Sequence, residues 1–422
     1  MDRKWSLASA TSITLTLAFA LPARADDFAL TQRLDALAAQ VEALKAEVAR
    51  LKADAAARAG ASAPPSYPFP HIGADTVLSS YGEIQYSRPT HSTRDTTADV
   101  GRFVIGLEHR FSERTRMAAE LEVEHAVSSA DDRGEVEVEQ AYVEHQLTDA
   151  WSAKAGLFLI PSGLLNESHE PTAYYGVFRN FVETAIIPTT WREIGIGGTW
   201  HGDNGITLDA GLTTGFDLSK FDPYSDESRQ SPLGSIHQEG ELARARSLAG
   251  YAAVNWRGVP GLLVGGSAFH GGAGQGQGFA GRDAKVTLAE GHVRWTPGPW
   301  DVSALYARGR ISGTEALNET FVGAPFLVPK SFYGAYGQAA YRLWSRDAMS
   351  VSPFVRYERF NTAKAFAALP EGLAPEVPRD SRVTTAGLNF WLNPGVVFKA
   401  DYQWFQGEST RNRLDLGAGY AF

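Results

Sequence analysis

Arg413-Leu414-Asp415-Leu416-Gly417-Ala418-Gly419-Tyr420-Ala421-Phe422 ends the chain in strict alternation. Leu414, Leu416, Ala418, Tyr420 and Phe422 share one parity, and charged or small residues fill the other. Side chains alternate faces along a strand, so the segment has an oily face and a wet face. One such strand fits many folds. The question is how many more there are and how they are joined.

Counting outward from it gives sixteen segments of two-residue periodicity. They run roughly 77–86, 100–111, 115–127, 135–147, 150–160, 191–202, 205–216, 247–258, 260–271, 284–296, 299–311, 331–344, 349–361, 382–393, 396–407 and 411–422. Phe103, Ile105 and Leu107 against Arg102, Gly106 and Glu108 is typical. Within 114–125, Met117, Ala118 and Leu121 would also suit a helix. Glu120, Glu122 and Glu124 alternating with Leu121 and Val123 favour a strand. Each segment is long enough to cross a bilayer core at a tilt.

The connections are of two kinds. Ser112-Glu113-Arg114, Thr148-Asp149, Asp203-Asn204, Pro297-Gly298 and Asn393-Pro394-Gly395 are tight, whereas 161–190, 216–246, 312–330 and 362–381 are long. Short turns at one end and long loops at the other define an up-and-down membrane barrel. Phe111, Trp200, Trp256, Trp295 and Phe390 precede short turns on the apolar parity, and Trp151 and Trp300 follow them. Rings at that level form an interfacial girdle. Trp344 and Trp391 lie off parity. The expected fold is all-β, a 16-stranded antiparallel transmembrane barrel over residues 76–422, with an N-terminal periplasmic coiled-coil helix. An amphipathic closing strand ending in Phe resembles that of bacterial outer-membrane barrels.

The front of the chain has a different pattern. Arg3 and Lys4, an apolar stretch from Leu7 to Leu21, and Ala23-Arg24-Ala25 read as a secretory signal peptide over residues 1–25. Its removal takes the formal net charge from −9 to about −11, which argues against a nucleic-acid partner. Without cysteine there is neither a lipid-modified N-terminus nor a disulfide framework. Over residues 26–58, Leu30, Leu34, Leu37, Val41, Leu44, Val48 and Leu51 form a heptad seam, with Leu34, Val41 and Val48 at a. This predicts a self-associating helix, the alternative being a single surface helix. Residues 59–75 form a proline-rich linker.

The long segment after the fifth strand carries Asn166, Glu167, His169, Glu170, Tyr174, Tyr175 and Arg179, and these are expected to build a constriction. His169 between Glu167 and Glu170 reads as a loop-pinning cluster rather than a metal pair, since no third ligand converges. No catalytic, cofactor or metal site is expected, because no motif singles out a nucleophile and base.

Sixteen strands, the long loop after strand five, the helical front and Gly156-Leu157-Phe158-Leu159-Ile160-Pro161-Ser162-Gly163 resemble the phosphate-selective porin O/P family and related coiled-coil-bearing porins. That resemblance implies a trimer whose fifth-strand loop folds into the lumen. The family's arginine ladder is not evident here, and residues 166–171 depart from its pattern, so the solute stays open.

Inward parity carries Glu120, Glu122 and Glu124 on strand three and Glu135, Glu137 and Glu139 on strand four. Like charges facing each other need water or counterions, so these six are expected to line the pore. Arg257, Arg294, Arg342, Arg356, Lys399 and Arg413 fall on inward parity later. An acidic early wall would then face a basic late wall and set up a transverse field. The expected function is passive diffusion of small hydrophilic solutes, anions included, by an outer-membrane porin. A barrel anchor touching the cell wall through its coiled coil is the alternative. Expected partners are outer-membrane lipid, two further copies in a homotrimer, and the diffusing solutes.

Overall fold

Closure of the sheet begins where the sequence ends. Tyr81 of β1 (Thr76–Pro89) lies opposite Ala421 of β17 (Arg413–Ala421), and Arg88 lies opposite Leu414. Ser80 exchanges two backbone hydrogen bonds with Phe422, at 3.0 and 3.1 Å. Backbone polar groups in lipid must be satisfied within the protein, and a closed sheet does this without an edge.

The computed structural model describes residues 39–40, 45, 75–128, 134–370 and 376–422. The chain divides into two units, Met1–His71 and Ile72–Phe422. In the first unit only Ala39, Gln40 and Lys45 are described, all helical. The signal peptide, the heptad seam as a whole and nearly all of the linker lie outside the described residues.

The second unit is the barrel. Its strands after β1 are β2 (Thr97–Ser112), β3 (Thr115–Glu124), β4 (Val136–Gln146), β5 (Trp151–Leu159), β6 (Arg192–His201), β7 (Ile206–Thr213), β8 (Ala249–Trp256) and β9 (Leu262–Gly272). They continue as β10 (Lys285–Trp295), β11 (Trp300–Ser312), β12 (Ser331–Tyr341), β13 (Trp344–Arg346), β14 (Met349–Ala365), β15 (Ser381–Asn393), β16 (Val396–Phe405) and β17. β13 is a three-residue continuation of β12 past Arg342 and Leu343, and both pair with β14. The 17 segments therefore make the 16 staves of a closed antiparallel barrel. All sixteen expected strands are present, 115–124 among them.

Alternation sets the two faces. Along β2, Phe103 and Ile105 are exposed on the outer face while Arg102 and Val104 are buried inside. Trp151, Trp256, Trp295 and Trp300 are all exposed near the short turns. The two off-parity tryptophans have separate explanations. The break before β13 resets the alternation and leaves Trp344 exposed. Trp391 sits beside an irregularity in β15 and turns toward Tyr175, with ring centroids 5.6 Å apart.

Inside, the barrel holds a true hydrophobic core on one side. Trp191, Phe216, Leu233 and Ile236 from the connections meet Tyr251, Phe269, Leu288, Leu305 and Phe332 from β8–β12. Trp191 is fully buried, stacked 5.5 Å from Phe216 and edge-on at 4.7 Å to Phe269.

Candidate functional site

The connection between β5 and β6, residues 160–191, runs into the lumen and is fastened there by its own polar residues. Asn166 is a clasp across its base. Its amide donates to the carbonyls of Ile160 (2.7 Å) and Trp191 (2.9 Å), and its oxygen accepts from Trp191 N at 2.7 Å. Further in, Glu183 accepts from the backbone nitrogens of Leu164 and Leu165, from Asn180 and from the Tyr336 hydroxyl of β12. Burial pushes the Glu183 carboxyl above its usual range, with those donors opposing the shift. Gly163 has φ +78°, and a Cβ there would collide with Glu183, so a side chain is excluded on two counts.

Past the clasp, His169 meets the near wall. Its Nε2 lies 2.7 Å from Tyr81 Oη and 3.0 Å from Glu139 Oε1, and Tyr81 donates to Glu139 Oε2 at 2.8 Å. Nδ1 donates to the Asn166 carbonyl at 2.9 Å, because that oxygen can only accept. Arg102 donates to the His169 carbonyl and, at 2.9 Å, to Glu83.

The loop then runs on past β1 to the wall of β14–β16. Tyr174 donates to Glu83 (2.6 Å), Val177 N to Asp401 of β16 (2.6 Å) and Phe181 N to Glu358 of β14 (2.6 Å). Gly176 N donates to Asn389 of β15 at 3.2 Å, and Arg356 donates to the Tyr175 carbonyl at 3.1 Å. Burial and the Glu83 carboxylate hold the Tyr174 phenol far above its ordinary range. Burial, with Arg102 nearby, holds the Arg179 guanidinium below its own.

Three of the six sequence-selected carboxylates are tied to partners. Glu120 accepts from Gln140 at 2.7 Å, Glu137 pairs with Arg192, and Glu139 belongs to the His169 cluster. A register shift between Glu120 and Leu121 lets β4 turn both Glu139 and Gln140 to the lumen. Glu122 is 1% exposed, Glu124 half-buried and Glu135 exposed. In the loop, Glu167 is exposed and Glu170 half-buried, and Arg179 donates to Thr190 at 3.1 Å.

The late wall is less purely basic than a count of its cations implies. Arg356 pairs with Glu358 at 2.9 Å, Arg413 with Asp415 at 3.2 Å and Arg294 with Asp301 at 2.7 Å. The Lys399 ammonium lies 3.5 Å above the Tyr174 ring, on the strand that also carries Asp401. On the early side, Arg102 interrupts the acids. The expected acidic-against-basic division therefore gives way to local pairing on both walls, with carboxylates two residues along the same strand (Glu358, Asp401, Asp415) or on the neighbouring strand (Asp301, Glu83) sharing the face of a cation. Glu83, Asp301, Glu358 and Asp401 are the luminal carboxylates of this candidate site that a count of charges by wall passes over. Their inward parity was the available signal.

Between loop and wall remains a slot of about 300 Å³ bounded by Glu83, Arg102, Glu124, Tyr174, Arg179 and Arg413. On the long-loop side lies a vestibule of about 1020 Å³, whose lining includes Phe181, Arg229, Phe326, Phe360, Arg379 and Arg411. A closed barrel of sixteen staves with a loop strutted across its lumen has the architecture of bacterial outer-membrane porins.

Comparison with known proteins agrees at the level of fold. No family model matches the chain. OmpF of Salmonella typhi superposes with a TM-score of 0.55 at 11% identity, covering 82% of this chain and 97% of that one. The outer-membrane channel DcaP of Acinetobacter baumannii gives 0.52 at 11% identity over 83% and 98%, and the anion-selective porin of Comamonas acidovorans 0.50 at 11% over 82% and 99%. An uncharacterized protein of Aquifex aeolicus is 28% identical over 336 residues, covering 77% of this chain and 74% of its own length.

Proposed function

We propose that this protein is a channel of the bacterial outer membrane that passes small hydrophilic solutes by diffusion, with residues 161–190 as its constriction. The observation that carries this is the set of bonds joining loop backbone to lumen wall, above all Val177 N to Asp401 and Phe181 N to Glu358. A strut held on both sides of the lumen narrows the passage without sealing the slot beside it. Arg102, Arg179 and Arg413 reach that slot from a strand, the loop and the last strand. Three guanidiniums at close quarters favour anions over neutral solutes, against the three local acids Glu83, Asp99 and Glu124. The pore-lining roles of Glu120, Glu122, Glu124, Glu135, Glu137, Glu139, Arg356, Lys399 and Arg413 belong to the same reading. So do the secretory signal, the periplasmic coiled coil and assembly as a homotrimer. The likeness to phosphate-selective porins enters only as a hypothesis about the solute.

Reconstitution in a planar bilayer is the test. Discrete conductance steps are expected, with a reversal potential under a salt gradient that favours the anion. A folded, inserted protein that conducts nothing would remove the channel reading. A cation-favouring potential would remove only the anion preference.

A further inference from the structure

Charged side chains on the lipid face of a barrel are costly at mid-membrane and cheap only at the headgroups. This barrel concentrates such residues in one sector. On β11 the inward Leu305, Ala307, Gly309 and Ile311 are buried, while Tyr306, Arg308 and Arg310 between them are exposed outside. Lys285 of β10 and Arg382 of β15 are likewise exposed on the outer face, and Arg359 and Lys364 of β14 are about half exposed. All six lie toward the long-loop end of their strands, away from Trp295 and Trp300.

Height follows from strand geometry. Arg308 is eight residues above Trp300, so a rise of about 3.4 Å per residue at a tilt near 40° places it roughly 20 Å above the tryptophan level. An apolar band is about 25 Å tall, so these cations stand at its far edge.

The cations are in excess. Asp380 accepts from Arg359 and lies 3.4 Å from Lys364, and Tyr333 also donates to it at 2.7 Å. Lys285, Arg308, Arg310 and Arg382 have no carboxylate within ion-pairing distance among the described residues. Arg359 and Arg382 are directly opposite one another across β14 and β15. Like charges in that position are destabilising unless an anion covers them. Beside them Tyr306, Arg308, Tyr333 and Lys364 line a hollow of about 220 Å³ on the outer wall. On the other side of the barrel, the corresponding outward positions are apolar: Val136, Val138, Ile194 and Leu212.

We propose that the outer face of β10–β15 is a docking surface for the phosphorylated headgroup of an outer-leaflet glycolipid. Arg308, Arg310, Arg359 and Arg382 would engage phosphate, and Tyr306 and Tyr333 would lie at the sugar level. Charge complementarity singles out this occupant, since a second copy of the chain would set the same cations against another protein's apolar belt. The inference rests on the outer-membrane reading above and on nothing about conduction.

The test uses the full chain in detergent and lipid A, a bisphosphorylated disaccharide lipid, with retention read by native mass spectrometry. The triple variant Arg308→Gln/Arg310→Gln/Arg382→Gln is expected to bind lipid A about a hundredfold more weakly, at roughly fivefold per surface cation. The Arg→Lys triple variant should keep most of the binding. Dephosphorylated lipid A should bind the parent as poorly as lipid A binds the Gln variant. Heat-modifiable electrophoretic mobility establishes that each variant is folded. Equal retention by parent and folded Gln variant would overturn the proposal, as would undiminished binding of the dephosphorylated lipid or full competition by millimolar inorganic phosphate alone. Bilayer conductance of the Gln variant should match the parent. Silence of both proteins there would count against the channel reading and leave the lipid result standing.

Discussion

The two sides of the lumen are made of different matter. Toward β8–β12 the interior is a dry core, in which Trp191, Phe216 and Leu233 interlock with Phe269, Leu288 and Phe332. Toward β14–β17 and β1–β4 it is a lattice of charges, in which Glu83, Arg102, Glu139, Arg356, Glu358, Lys399 and Asp401 are all buried. The loop spans the boundary, with Val182, Ala185 and Ile186 in the core and Tyr174, Gly176 and Val177 bonded to the lattice. The apolar side fixes where the loop sits and has no use for water. The charged side is where the slot remains, so any hydrophilic path must run there.

The largest effect should come from removing the strut itself. Deleting Tyr174–Asn180 takes away the bonds to Glu83, Asn389 and Asp401 and opens the slot toward the wall of β14–β16. Single-channel conductance is expected to rise severalfold. A folded deletion with the parent's conductance would show that the path does not pass this loop.

The two sides should also differ in stability. Trp191→Ala removes a fully buried indole, and truncations of this kind cost about 3–5 kcal/mol. Tyr81→Phe removes one hydroxyl from the His169–Glu139 cluster, and losing a buried hydrogen-bonding group costs about 1–3 kcal/mol. Urea midpoints of the two folded variants would rank them. If Tyr81→Phe proved the more damaging, the charged lattice, and not the apolar core, would be holding the loop.

Much of this was legible in the sequence, for a physical reason. A lipid-facing strand must be apolar on every second residue, and that constraint writes sixteen strands and their loop alternation directly into the order of residues. The luminal side is less constrained. Leu288, Leu305 and Phe332 are inward and apolar, so parts of β10–β12 are greasy on both faces. Such runs are the mark of strands buried on both sides, but reading the outward parity alone passes over them. The charge pairs were partly visible. Arg356 and Glu358, or Lys399 and Asp401, share a face by being two residues apart. Glu139 beside His169 and Tyr81 was not, because that cluster needs a bulge in β4 and a loop path that no periodicity encodes.

A smaller effect concerns acid. Glu239, in the connection between β7 and β8, has its carboxyl lowered to about 2 by hydrogen bonding to His237, assisted by Arg192 and Lys220. A depressed carboxyl adds stability above its unfolded value near 4.5, and that contribution is lost as pH falls toward 2. Segment 237–244 should become more susceptible to pepsin between about pH 4 and pH 2, and Glu239→Gln should be susceptible already at the upper end. Identical cleavage rates for parent and variant throughout that window would separate Glu239 from the anchoring of this connection.

The smallest effect discriminates within the acidic wall. Glu122 is sealed beneath the loop at 1% exposure, whereas Glu124, two residues further along the same face, borders the slot. A mobile ion in the slot feels Glu124 through water, where screening extends about 30 Å at 0.01 M salt and about 3 Å at 1 M. Glu124→Gln should therefore move the low-salt reversal potential toward anions, and the shift should fade as salt rises. Glu122→Gln should move it less, because its side chain is buried away from the water of the slot. Equal shifts from both variants would mean that the wall is wetted beneath the loop. A larger shift from Glu122 would place the conducting path on the His169 side of the strut, and the slot beside Glu124 would then be a side chamber.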